Sequence, residues 1–114
     1  MEDKDRVMIF ERQAQICKAL ADPKRIMIIH SLSRGEKTVS DLTGELGLAQ
    51  ANLSQHLAVM RDKGLLIAQR RGNNVYYSLS SSKIIEACDM VRQVLVEQLE
   101  LGRKLAHGMA SAAQ

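Results

Sequence analysis

The spacing of apolar residues changes period twice along this chain, and those changes set a hairpin apart from the helices on either side. Phe10, Ala14, Cys17 and Ala21 recur at three- and four-residue intervals, which predicts a helix over about 5–20. In "ADPKRIMIIHSLSRG", Asp22 is a helix cap and Pro23 takes the first helical position, where its missing N–H costs nothing. Ile26, Ile28, Ile29 and Leu32 form the apolar side of that segment, and Gly35 ends it. Thr38 followed by Asp41 is a capping-box variant that starts a short helix, with Leu42 and Leu46 inward and Gly47 as its stop. The next helix, predicted over Gln50 to Lys63, sets Leu53, Leu57 and Met60 on one stripe at about 100° per residue. Ala51, Gln55 and Ala58 lie opposite, and Gly64 terminates the run. Beyond Leu65 the period falls to two. "LIAQRRGNNVYYSLS" reads strand, turn, strand, with Val75, Tyr77 and Leu79 alternating with Tyr76 and Ser78 around residues that tolerate positive φ. A long helix over about 82–106 closes the pattern, with Ile84, Cys88, Val91, Leu95 and Leu99 in one stripe; the tail from His107 is expected to fray.

The helix over 50–63 has an unusual polar side. Gln50, Asn52, Ser54, Gln55 and His56 carry amides, a hydroxyl and an imidazole where a solvated helix would show Lys and Glu pairs. Amides match the fixed donors and acceptors of DNA base edges, and small Ala residues allow close approach. Arg61, Lys63, Arg70 and Arg71 stand around the rim, suited to hold phosphates. The plain alternative is a solvated surface of no particular role. A short helix, the turn "GLA", this second helix and a basic hairpin together predict a winged helix-turn-helix. The fold class is mainly α with a small β-hairpin, in the order of four helices, two strands and a fifth helix. One domain, 1–114, is expected, with the helix-turn-helix at about 38–63 and the wing at about 66–79.

Composition sharpens this reading. At 114 residues and 46% hydrophobic, with no Trp, one Phe and two Tyr, the core must be aliphatic. Net charge is +3, but residues 23–71 hold eight Lys/Arg against four Asp/Glu, whereas the flanks hold eight against nine. The basic excess thus surrounds the uncharged helix face, as a polyanion partner requires. No apolar run reaches membrane-span length and the N-terminus lacks a signal pattern, so a cytoplasmic protein without membrane contact is expected. Two cysteines do not make a disulfide framework, and three scattered His give no metal site. No Ser–His–Asp set, phosphate loop or paired carboxylates support an enzyme. A winged-helix protein-interaction module is the main competing class; exposed Leu or Phe on the fourth helix would favour it.

Residues 19–80 resemble the ArsR/SmtB family of winged-helix repressors. "ALADPKR", "LSQHLAVMRDKGLL" and "VYYSL" are similar to that family's most recognisable segments. The resemblance implies a homodimer through the first and last helices, at about 5–20 and 82–106. It implies binding to an inverted repeat in promoter double-stranded DNA, repression of transcription, and release by an inducer, with no cofactor required. Gln50, Asn52, Ser54, Gln55 and His56 fall on the family's recognition helix, and Gln55 points most directly away from the core stripe. The competing reading of His56 is a partly buried helix histidine bonded to a neighbour. Two departures stand out. Ala49 replaces the usual hydroxyl cap, and Asn73 stands near the wing tip where Arg or Lys is common.

Members of the family often sense metals, yet the Cys-x-Cys motif of the third helix is missing from "TVSDLTGEL". In the last helix Asp89 is followed at i+2 by Val91 instead of His. Cys17 and Cys88 remain, one in the first helix and one in the last. They are either small hydrophobes in a constitutive DNA-binding regulator, or regulatory thiols that form a disulfide or polysulfide link or share a thiophilic ion. The resemblance to persulfide and oxidant sensors matches the last-helix cysteine, but places the other in the second helix, whereas Cys17 precedes Asp22.

Overall fold

In the computed structural model, which describes residues 2–112, the order is α1 (Asp3–Leu20), α2 (Pro23–Leu32), α3 (Val39–Leu46), α4 (Gln50–Asp62), β1 (Leu66–Arg71), β2 (Asn74–Leu79) and α5 (Ser82–Ala112). The chain divides between Ile84 and Ile85 into two units, the first holding α1 to β2 and the second nearly all of α5. Among the described residues no helix is long and apolar enough to cross a membrane.

Local chemistry sets the boundaries in the first unit. The Asp22 carboxylate accepts from the backbone N–H groups of Lys24 (2.9 Å) and Arg25 (3.2 Å), starting α2. Those bonds hold the Asp22 pKa below the usual carboxylate value. The Thr38–Asp41 box is complete: Thr38 Oγ1 accepts from the Asp41 N–H at 3.1 Å, and Asp41 accepts from the Thr38 N–H at 3.0 Å. At the far end of α4, Gly64 takes φ +75°. Its N–H donates to the Arg61 carbonyl and that of Leu65 to the Met60 carbonyl, at 3.0 and 2.9 Å, the Schellman pattern. Leu65 and Leu66 are thereby turned into the core.

That core is aliphatic, as composition requires. Ile28, Ile29 and Leu32 of α2, Leu42 of α3, and Leu53, Leu57 and Met60 of α4 are all buried. β1 and β2 pair antiparallel from Leu66↔Leu79 to Arg71↔Asn74, leaving Gly72 and Asn73 as a two-residue turn. Of the three candidate turn residues only Gly72 uses positive φ, at +62°. Glycine at the first turn position suits the twist of the strands.

Several expectations are corrected. α2 ends at Leu32, three residues before Gly35, and α4 ends at Asp62 with Lys63 as its cap. The α1 stripe finds little cover in the chain: Ala19 is the buried residue of α1, Phe10 is 62% exposed, and Ala21 lies just outside the helix. α5 buries none of its described side chains and runs on through Ala112. Fraying from His107 is thus overturned up to Ala112, because Ala106, Ala110 and Ala112 favour helix enough to carry it past Gly108. Ala113 and Gln114 lie outside the described residues.

One polar cluster links the helices to the hairpin. The buried Ser31 hydroxyl donates to Glu45 Oε2 at 2.7 Å. Lys37 Nζ donates to Ser31 Oγ at 2.7 Å and to Glu45 Oε2 at 2.5 Å, while Arg34 pairs with the other Glu45 oxygen. The Lys37 backbone meanwhile bonds twice to Tyr77, N–H to carbonyl at 3.0 Å and carbonyl to N–H at 2.8 Å. β2 is therefore flanked by β1 on one side and by Lys37 on the other.

Replacing Asp22 with Ala should lower the denaturant midpoint of unfolding at neutral pH, because the Lys24 and Arg25 N–H groups lose their acceptor; an unchanged midpoint would show that the cap contributes nothing. The Lys37 and Ser31 hydrogen bonds and the nearby cations pull the Glu45 pKa from 4.5 down to about 2. A carboxylate depressed in the folded state stabilises above its unfolded pKa, and that stabilisation fades as pH falls through the folded value. Wild type should therefore lose stability relative to Glu45→Gln between pH 4.5 and about 2. Parallel acid-unfolding curves would show that the cluster contributes nothing.

Candidate nucleic-acid interface

The buried Leu53–Leu57–Met60 stripe fixes the rotation of α4, and that rotation decides what it shows to solvent. Gln50, Ala51, Asn52, Ser54, Gln55 and Ala58 are exposed. They form the uncharged face expected from the sequence, free of large apolar groups apart from Val59 on its flank. The Ala49 side chain caps no N–H group at the start of α4.

His56 differs from its neighbours. It is half-buried, and its Nδ1 lies 3.4 Å from Arg25 Nη1. Arg25 also donates from Nε to the Ala19 carbonyl at 2.6 Å and from Nη2 to the Lys18 carbonyl at 3.5 Å. A guanidinium only donates, so Nδ1 is the acceptor and neutral His56 carries its proton on Nε2. Arg25 thus joins the last turn of α1 to α4, and part of His56 is committed to that link.

The rim cations also divide. Arg61 is exposed and has no partner among the described residues, while Lys63 Nζ stands 3.7 Å from the Asp62 carboxylate. In the hairpin, Arg71 pairs with Glu36 and lies over the Tyr76 ring, 4.0 Å from its centroid. Its charge is largely spoken for. Arg70 is exposed and unpaired among the described residues, and strand alternation turns it to the opposite face, with Val75 and Tyr77. Asn73 sits at the tip of the turn and lines a groove with Thr38, Ser40, Thr43 and Gln50. This groove brings the wing tip beside the start of α4.

The sequence reading passed over Lys37 and Tyr77. Tyr77 lines an open groove of about 520 Å³ with Ser54, Ala58, Arg61 and Asp62, between α4 and β2. The alternation of the strand put Tyr77 on one face with Val75 and Leu79; it could not show that this face would meet α4.

Cys17 is exposed and Cys88 half-buried. Burial, then the neighbouring Asp89, pushes the Cys88 thiol above its usual pKa and favours its protonated form. Among the described residues no group of three or more His, Cys, Asp or Glu is placed to hold a metal ion.

Comparison with known proteins agrees with this geometry. Residues 22–68 match the bacterial regulatory protein, arsR family, pattern. The HTH-type transcriptional regulator Rv0081 of Mycobacterium tuberculosis is 36% identical over 92 residues, covering 80% of this chain and 81% of its own. The nodulation protein NolR of Rhizobium meliloti is 34% identical over 102 residues, covering 84% of each. Among solved structures, the homodimeric winged helix-turn-helix DNA-binding domain Mb0332 of Mycobacterium bovis superimposes with a TM-score of 0.78 at 27% identity, over 88% of this chain and 92% of that one. Rv0081 itself gives 0.73 at 35% identity, over 81% and 93%. Fold, exposed polar helix and relatives converge: this chain belongs to the ArsR family and is a winged helix-turn-helix transcriptional regulator.

Proposed function

We propose that this protein is a repressor that binds an inverted repeat in promoter DNA as a homodimer and lets go when an inducer acts. The observation that carries the reading is α4 itself. Its outward side offers amides and a hydroxyl, ringed by unpaired Arg61 and Arg70. In this reading Gln50, Asn52 and Gln55 meet base edges, Ser54 meets the DNA backbone, His56 contributes through Nε2, and Arg61, Lys63 and Arg70 hold phosphates. Arg71, paired with Glu36, serves mainly to stiffen the wing, and Asn73 brings an amide to its tip.

Dimerisation is supported by exposed apolar side chains in both terminal helices. Val7, Met8, Ile9 and Phe10 in α1, and Met90, Val91, Val94, Leu95 and Leu99 in α5, are each at least half exposed in the single chain. Surfaces of this kind usually belong to an interface. The similarity to homodimeric Mb0332 supports the same reading. A two-fold dimer presents two α4 helices to half-sites about one DNA turn apart, roughly 34–36 Å.

For the signal, the cysteines support a thiol switch. Cys17 is accessible and Cys88 is held protonated. Cys17 is then the thiol that attacks a polysulfide. Cys88 then attacks the Cys17 sulfur of the resulting persulfide, breaking its S–S bond, expelling the outer sulfur as hydrosulfide and closing a disulfide; the two thiols lose two protons and two electrons, and the polysulfide sulfur takes up the electrons.

Wild type should bind a selected inverted-repeat duplex with affinity that falls steeply with salt, log K dropping by about 0.9 per phosphate contact for each tenfold rise. Gln55→Ala should cost about 1–3 kcal/mol at the matched base and relax preference there. Binding that ignores salt, or no binding at all, removes the repressor reading. For the signal, polysulfide should release wild type from DNA but leave Cys17→Ser and Cys88→Ser bound. Equal responses from all three proteins would assign the cysteines to packing alone.

A further inference from the structure

We propose that the groove between α4 and β2 is a seat for one phosphodiester of the DNA backbone, held by the hydroxyls of Tyr77 and Ser54 and the guanidinium of Arg61. The proposal rests on the DNA-binding reading above and adds Tyr77 to it as a contact residue.

Three observations bear on the groove. First, its donors are idle. The side chains of Ser54 and Arg61 and the Tyr77 hydroxyl make no hydrogen bond to another described residue. No sealed side-chain polar atom lacks a partner among the described residues, so the hydroxyl of half-buried Tyr77 opens to solvent.

Second, the backbone that carries Tyr77 is fixed in advance. Its N–H and carbonyl are both bonded to Lys37, at 2.8 and 3.0 Å, and the small Ala68 across the hairpin leaves room beside the ring. A donor carried on backbone already fixed before binding has less freedom to lose when it meets its acceptor.

Third, DNA geometry assigns what must lie there. A helix in the major groove and a wing reaching the adjacent minor groove are separated by one sugar–phosphate strand. The cleft between α4 and β2 faces that strand, and two hydroxyls with a guanidinium match phosphate oxygens, which only accept. The one carboxylate in the groove, Asp62, has Lys63 Nζ 3.7 Å away, which offsets part of its repulsion. Arg70, on the same hairpin face as Tyr77, extends the basic track toward the wing tip.

The test measures affinity for a selected inverted-repeat duplex and for an unrelated duplex of equal length, across a salt series. Tyr77→Phe keeps the ring and removes one oxygen. It should weaken binding to both duplexes by the same factor, on the order of tenfold for a lost charge-assisted hydrogen bond, without changing the salt slope. Arg61→Gln should weaken both and make the slope shallower by about one unit per protomer engaged. Ser54→Ala, on a different element, should reproduce the uniform loss and guards against a folding defect in the wing variant.

Wild-type affinity in both Tyr77→Phe and Ser54→Ala overturns the seat while leaving the repressor reading intact. A loss confined to one base position overturns it too, since the groove would then read a base edge. Wild type that binds neither duplex overturns both readings at once.

Discussion

Lys37 is bonded in two directions, and the placement of the hairpin against the helices depends on it. Its backbone holds β2 through Tyr77, and its ammonium holds α2 and α3 through Ser31 and Glu45. A two-stranded hairpin alone is marginal in water. Here the added pairing at Lys37 gives β2 a second neighbour, and the ionic cluster anchors that neighbour to the helices. The Ser31 hydroxyl is buried, so losing Glu45 would take the acceptor from its O–H and leave Lys37 as its one partner in the cluster; this makes the cluster more demanding than a surface ion pair.

With the hairpin held, α4 can follow different rules on its two sides. Inward, Leu53, Leu57 and Met60 set its rotation; outward, short uncharged groups leave room for a partner's surface. The hairpin arginines show the same division of labour between neighbours. Arg71 is consumed by Glu36 and the Tyr76 ring, which stiffens the outer face, while Arg70 on the other face stays unpaired. Two adjacent arginines of identical chemistry thus acquire different tasks from strand alternation alone.

Features that depend on near neighbours were legible in the sequence. The Asp22 and Thr38 caps, the α4 stripe and the existence of a hairpin turn near Gly72 all involve partners within a few positions, where periodicity and cap chemistry are informative. Features that join distant segments were not. Arg25 meets His56 across 31 positions, Arg71 meets Glu36 across 35, and the backbone of Lys37 pairs with that of Tyr77. No spacing rule marks these, because an Arg or Lys looks alike whether it ends in a buried cluster or in solvent. The length of α5 escaped for another reason: a glycine costs only about 1 kcal/mol in a helix, too little to stop a run rich in alanine.

The charge-poor surface of α4 also bears on His56. Were the histidine simply part of the base-reading face, both ring nitrogens would be available. Arg25 instead occupies Nδ1 while gripping the Ala19 and Lys18 carbonyls at the end of α1. Neutral His56 is left as a one-sided donor through Nε2, and its ring is tied to the helix that carries Cys17. A displacement of that last turn of α1 would reach α4 through this guanidinium as well as through the buried Ala19. The outward and inward roles first set against each other for His56 are therefore compatible: one nitrogen holds the fold while the other remains for a ligand.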